Sequence, residues 1–254
     1  MNLHTSFSRL IFPALLFFFF AGCDLFGSED PQSGTVTVSL SNNIGGQDLA
    51  LNQQSYTSAV GHSYSVTLVE YILTDIALRD EDGNLVSLAS AHYMNQEDAT
   101  THALSAVEVP AGKYNAIQFT FGIEGADNVF GNLERSTDFD NMMWPMMMPM
   151  GDGATERYHY MRFEGRYGTD GAFRIHTGPT GGNDFSLQKE LALDIDVDGQ
   201  AWMLDLAVNL DEWLTGPNEW DFDDYNAIMG NPAAQTLLYD NGESVFGIES
   251  ITTE

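Results

Sequence analysis

The sequence contains one cysteine, Cys23, and two lysines, Lys113 and Lys189, in 254 residues. With no second cysteine the chain cannot by itself close a disulfide, build a zinc knuckle, ligate an iron–sulfur cluster or run CxxC redox chemistry. Positive charge is scarce throughout: 9 Lys+Arg stand against 37 Asp+Glu, a formal net of -28. Such a surface repels phosphate backbones and anionic headgroups, so nucleic acid is not an expected partner. The acids are scattered along the whole chain rather than gathered at one point. That favours a surface adapted to high salt, where counterions screen self-repulsion and carboxylates hold water, over the other reading, a specific acidic site for cations. Catalytic constellations are missing as well. No Gly-x-Ser-x-Gly elbow, His-Glu-x-x-His pair or phosphate-cradling glycine loop stands out, and no enzymatic activity is expected.

What is present begins with an address. Arg9 precedes the apolar run Leu10 to Phe20, which is shorter than the ~20 residues of a membrane-spanning helix, and Ala21-Gly22 are small. Phe20-Ala-Gly-Cys23 resembles a bacterial lipobox, with phenylalanine where leucine is usual. Residues 1–22 therefore read as a lipoprotein signal peptide, and Cys23 as a lipidated new N-terminus. The expected location is the cell envelope, on the periplasmic side or the outer-membrane surface. Residues 23–34 are a polar tether, and 35–254 read as one domain, expected to be a monomer.

That domain reads as strands. Thr35 to Ser41 alternates and is rich in β-branched residues, and Ser63 to Arg79 repeats the pattern before the acidic turn around Gly83. Leu85 to Leu88 follows as a hairpin partner, then Val107 to Gly112 and Lys113 to Gly122. Gly125 to Asp140 reads as a long surface loop. Tyr158 to Tyr167 and Gly171 to His176 form a predicted hairpin, and Phe185 to Val197 with Gln200 to Val208 a second one about Asp198-Gly199. Helix is expected only in Asp211 to Ala234, and Ser244 to Ile251 closes as a strand. Many short strands joined by Gly/Asp turns predict an all-β antiparallel sandwich or barrel-like domain with long loops and one short helical segment near the C-terminus.

Six of the eleven methionines lie between Met142 and Met150, around Trp144, Pro145 and Pro149. The prolines forbid a long helix, so the run reads as a loop beside the sheet. Thioether and imidazole together suit Cu(I), and His159 and His176 follow on adjacent predicted strands. Flexible apolar packing is the alternative for the methionines. Strand alternation puts His159 on the face of Met161 and Phe163, which suits a half-buried, hydrogen-bonded histidine as well as a ligand. His176, at a strand end before Gly178, is better placed to ligate. His62, His92 and His102 read as surface or loop residues, one of which could complete a site. Asp194-Ile-Asp196-Val-Asp198-Gly199, with Asp205 further on, imitates a calcium loop, but Leu191, Leu193, Ile195 and Val197 alternate as a strand where that loop needs helices.

Several stretches, in order, resemble the MbnP-like copper-binding family, proteins related to the methanobactin periplasmic partner protein. They are Tyr71 to Leu78 with its Asp-Gly turn, Val109-Pro-Ala-Gly-Lys-Tyr114, Phe119 to Ile123 and Asp127-Asn128. Met143-Trp144, Tyr160 to Gly165, Phe173-Arg-Ile-His-Thr-Gly178, Asn241 and Phe246 continue the series. The resemblance implies an exported, mostly β protein that binds copper, as Cu(I) or Cu(II), for acquisition, storage or handover. It further implies that a partner di-haem peroxidase of the MauG type oxidises a tryptophan to kynurenine, which joins histidines at the metal. Trp144 matches that tryptophan and His176 the late histidine. Met146 stands where members commonly carry a second aromatic, a departure that moves the ligand set towards thioether. The resulting ligand set is His176, His159, Trp144, Met146 and Met148. The alternative from another class is a surface adhesion module presenting Met- and Trp-rich loops to a protein or glycan.

Overall fold

The computed structural model describes residues 31–53, 56–145 (Pro145 by its backbone alone) and 156–253. In chain order the strands are β1 (Gly34–Ile44), β2 (Gln47–Asp48), β3 (Tyr56–Thr57), β4 (Ser63–Asp80), β5 (Leu85–Asn95), β6 (Val107–Val109) and β7 (Gly112–Phe121). They continue as β8 (Met143–Pro145), β9 (Glu156–Tyr158), β10 (Met161–Tyr167), β11 (Gly171–Thr177), β12 (Leu187–Val197), β13 (Ala201–Asn209) and β14 (Phe246–Thr253). The helices are α1 (Thr137–Asn141), α2 (Glu212–Thr215) and α3 (Pro232–Asn241). None of the described helices is long and apolar enough to cross a membrane. The expected signal peptide, Cys23 and most of the expected tether lie outside the described residues.

Two sheets form a sandwich that does not close into a barrel. The first runs β14-β13-β1-β2, with β6 also on β1. The second runs β11-β10-β4-β7-β12, with β3 and β5 also on β4. Pairing is antiparallel except between β1 and β13. β4 organises the second sheet: its 18 residues carry β3 and β10 along the first half and β5 and β7 along the second. Along most of its length β4 is buried on both faces, since consecutive residues and not only alternate ones are covered, and this accounts for its nearly unbroken apolar run. The register slips on both of its edges between Thr74 and Ala77, a stretch in which exposed Asp75 takes φ 54° and re-aims the strand. The sheets meet where Phe246 of β14 packs edge-on against Phe119 of β7, centroids 5.2 Å apart, and tilted against Phe121 at 5.6 Å. Truncating a ring so enclosed costs about 3–5 kcal/mol.

Three expectations change. β12 and β13 are not a hairpin, because after Gly199 (φ 89°) the chain crosses to the other sheet, where β13 runs parallel to β1 from Thr35↔Ala201 to Asn43↔Asn209. An Asp-Gly turn specifies that the chain bends, whereas the free edge that receives the next strand is a tertiary choice. The helical segment also moves. Only the single turn α2 lies early in Asp211 to Ala234, and α3 starts where Asn231 caps Ala234 N–H (3.2 Å) and Pro232 takes the first turn. The intervening acidic stretch carries Pro217, whose ring and missing N–H do not continue a helix. Lastly, Tyr158 to Tyr167 is two strands, β9 and β10, interrupted at His159 and Tyr160. Elsewhere the strands follow the pattern, and Gly125 to Asp140 gains a short 3-10 turn and α1. The Asp194 to Asp205 segment is strand–turn–strand, with no helix on either side.

Candidate metal centre

The site is built at the break between β9 and β10. β8 and β9 form a two-stranded ribbon, with Trp144 opposite Arg157 and Met143 opposite Tyr158. Asn128 pins this ribbon to the body: its side chain is fully buried, accepts from Tyr158 N–H at 2.8 Å and donates to Tyr158 C=O at 3.2 Å. The chain then leaves strand geometry. His159 N–H donates to Met142 C=O at 2.6 Å and Tyr160 N–H to Thr177 C=O at 2.8 Å, which carries the next residues onto the edge of β11.

That kink decides where the His159 ring points. Regular alternation would put it with Met161 and Phe163 in the core. Instead it lies 5.1 Å from the ring of His176, at 84°, and 4.7 Å from the indole of Trp144, at 73°. Three of the predicted residues therefore form one row of rings, Trp144–His159–His176. Trp144 is 3% exposed and His159 5%. Trp144 lies on Gly178, where a Cβ would come within 2.8 Å of indole Cε3, so only glycine admits the indole at this depth.

Hydrogen bonds assign the ring protons. His159 Nδ1 faces Met142 C=O at 3.1 Å, an acceptor only, so Nδ1 carries the hydrogen and Nε2 the lone pair. That Nε2 is buried and meets no hydrogen-bond partner among the described residues. His176 Nε2 faces a Glu164 carboxylate oxygen at 2.7 Å, so it donates there and Nδ1 holds the lone pair. Burial, with the neighbouring His176 and Arg162 adding to it, pushes the His159 imidazole down to about 3. Burial also lowers that of His176, against an opposing pull from Glu164. Two unprotonated imidazoles side by side, one with an unused buried lone pair, make a fitting donor set for a transition-metal ion.

A charged frame surrounds His176. Its strand partner is Arg162, which donates to Glu70 at 2.8 Å and lies 3.7 Å from Glu164. Glu70 in turn accepts from Tyr93 O–H at 2.8 Å. Gln235 of α3 donates to His176 C=O at 2.8 Å and accepts, at 3.4 Å, from Gly178 N–H, which fixes the end of β11. Glu164, Gln235 and Gly178 were not singled out from sequence as site residues. Glu164 was within reach, since the Gly168–Gly171 turn sets a register in which Arg162 and Glu164 flank His176 on one face. Gln235 was not, because nothing local in sequence links α3 to β11.

The remaining candidates separate. Met142 is buried and Met143 is 37% exposed, while Met146 and Met148 lie outside the described residues. His92 is taken up by Thr101 C=O at 2.8 Å and His102 by Asn95 C=O at 3.1 Å. His62 faces Asp221 and belongs to a different part of the surface.

The family model for MbnP matches residues 33–230. Among solved structures, MbnP from Methylosinus trichosporium superposes with a TM-score of 0.51 at 12% identity, covering 87% of this chain and 99% of that one. At that identity the likeness is one of fold. No curated protein matches the chain.

Proposed function

This chain belongs to the MbnP family, and on that premise we propose that it is an exported, lipid-anchored protein that binds copper for acquisition, storage or handover. The observation that carries this reading is the buried Nε2 of His159, without a hydrogen-bond partner among the described residues, beside His176 and Trp144. A buried polar atom left without a partner costs about 1–3 kcal/mol, and a soft or borderline ion removes that cost by taking its lone pair. His159 through Nε2 and His176 through Nδ1 are the imidazole donors. Met146 and Met148 enter this reading by residue type alone, as thioethers suited to ligate Cu(I) or to form its entry ramp. Copper is the cargo here, and the protein's part is to present neutral, largely buried imidazole donors.

Trp144 takes the position of the oxidisable residue. Its conversion to kynurenine by a partner di-haem peroxidase would turn the indole into a carbonyl and aromatic amine next to His159, adding donor atoms where the indole has none. The modification changes the chain mass by about 4 Da, a covalent change visible in an intact-mass spectrum. A shift that disappears in Trp144→Phe supports the modification.

The decisive measurement is a Cu(I) competition titration of the purified protein. Wild type is expected to bind close to one equivalent, and His176→Ala and His159→Ala each to bind at least about tenfold more weakly, the scale on which lost ligands and their supports act. Equal affinities in wild type and His176→Ala would sink the assignment.

A further inference from the structure

The structure carries a second donor cluster that the copper reading does not use. His62, at the entry to β4, meets Asp221 and Asp223 of the segment that follows Trp220, and their donor atoms all lie within 4.8 Å of one another. His62 Nε2 is 3.0 Å from an Asp221 oxygen and 3.7 Å from an Asp223 oxygen. Ligands about 2.0–2.2 Å from a shared ion stand roughly 3.0–3.5 Å apart, so the cluster is already close to ligating spacing. The imidazole is held on two sides, edge-on to Tyr167 at 5.3 Å and tilted against Phe222 at 6.1 Å. The carboxylates come from an Asp-x-Asp pair whose geometry is set by Asp221 accepting from Asp223 N–H at 2.9 Å. A hydrogen bond to one aspartate satisfies a histidine. A second carboxylate converging on the same nitrogen, in a chain of net charge -28, leaves negative charge that an imidazolium does not balance and a dication does.

We propose that His62, Asp221 and Asp223 bind a borderline divalent cation of the Zn2+ class, one imidazole and two carboxylates with water completing the shell. The mixed nitrogen–oxygen set argues against Ca2+, which takes oxygen alone, and against Cu(I), which favours softer donors. Its role follows from what the segment does next. Phe222 stacks on Phe173 of β11 at 4.5 Å and 17°. Arg174 N–H donates to Asn226 C=O at 2.7 Å, and Ile228 C=O accepts from the same Gln235 that holds His176. The cation staples the start of a segment whose far end supports the candidate copper site.

The test uses Zn2+ alone as probe, on the full mature chain carrying His159→Ala and His176→Ala so that the first cluster cannot contribute. One Zn2+ should still bind and raise the melting temperature. Adding His62→Gln should weaken Zn2+ binding at least about tenfold, on the scale of a lost ligand, and abolish the thermal shift. Asp223→Asn, at a largely exposed position, should weaken it several-fold and keeps the test open should the His62 variant fail to fold. Unchanged Zn2+ affinity in either folded variant overturns the site. Ca2+ binding as tight as Zn2+ overturns it too, because the acidic surface alone would then explain retention. Either failure leaves the copper reading untouched.

Discussion

His159 is enclosed by Trp144, His176 and the Met142 carbonyl, and the cost of burying its charged form governs its chemistry. In the unfolded chain a histidine takes up its proton near 6.5, whereas in the fold burial holds His159 down to about 3. Between those values the unfolded state binds a proton that the native state refuses. Stability is therefore present in full above about pH 6.5 and falls with pH towards the folded value, by up to about 1.4 kcal/mol per pH unit. His176 and His92 are shifted the same way, mainly by burial, so a variant is needed to isolate His159. Urea midpoints measured from pH 7 to 5 should fall more steeply for wild type than for His159→Phe. Parallel slopes would mean that His159 is solvated in the native protein.

At the scale of the element, the site depends on one irregular junction and one distant helix. If β9 and β10 were continuous, His159 would face the core and lie apart from His176. Asn128 holds the strand before the break, and the Tyr160–Thr177 hydrogen bond holds the chain after it. α3 then docks Gln235 against the end of β11, where it meets His176 C=O and Gly178 N–H. Gln235→Ala leaves both backbone groups unpartnered in a nearly dry environment. It should cost about 1–3 kcal/mol in chemical denaturation and lower Cu(I) affinity through the displaced strand end. A variant as stable as wild type would show that the helix contact does not support the site. Asn241 secures α3 to α2 by donating to Trp213 C=O and Asn218 C=O, both at 2.9 Å.

For the whole molecule, charge sets the conditions under which the sandwich is stable. Four of the seven arginines, Arg157, Arg162, Arg166 and Arg174, lie on β9, β10 and β11. The sheet edge that carries the candidate copper site is thus furnished with cations, and much of the remaining surface repels itself. Salt shortens the reach of that repulsion from about 10 Å at 0.1 M to about 3 Å at 1 M. Raising NaCl over that range should therefore lift the melting temperature by several degrees. A melting temperature that stays level or falls would contradict the reading of the surface as salt-adapted.

Local patterning decided much by itself. Alternation and Gly/Asp turns specified an all-β chain, the long strand Ser63–Asp80, the β10–β11 hairpin and, through its register, the outward face that His176 shares with Arg162 and Glu164. The crowding of Met, Trp and His between Asn141 and Gly178 marked the candidate site, since ligand softness is a property of residue type. Three matters were left to the tertiary structure: which edge received β13, how far α3 lay from its expected start, and which way His159 turned. Each depends on partners remote in sequence, namely β1 for β13, β11 for α3, and Met142 with Thr177 for the kink at His159. Periodicity reports the face that a regular strand presents. At a break in the strand the local pattern has nothing to report, and the hydrogen bonds of neighbouring elements decide the direction of the ring.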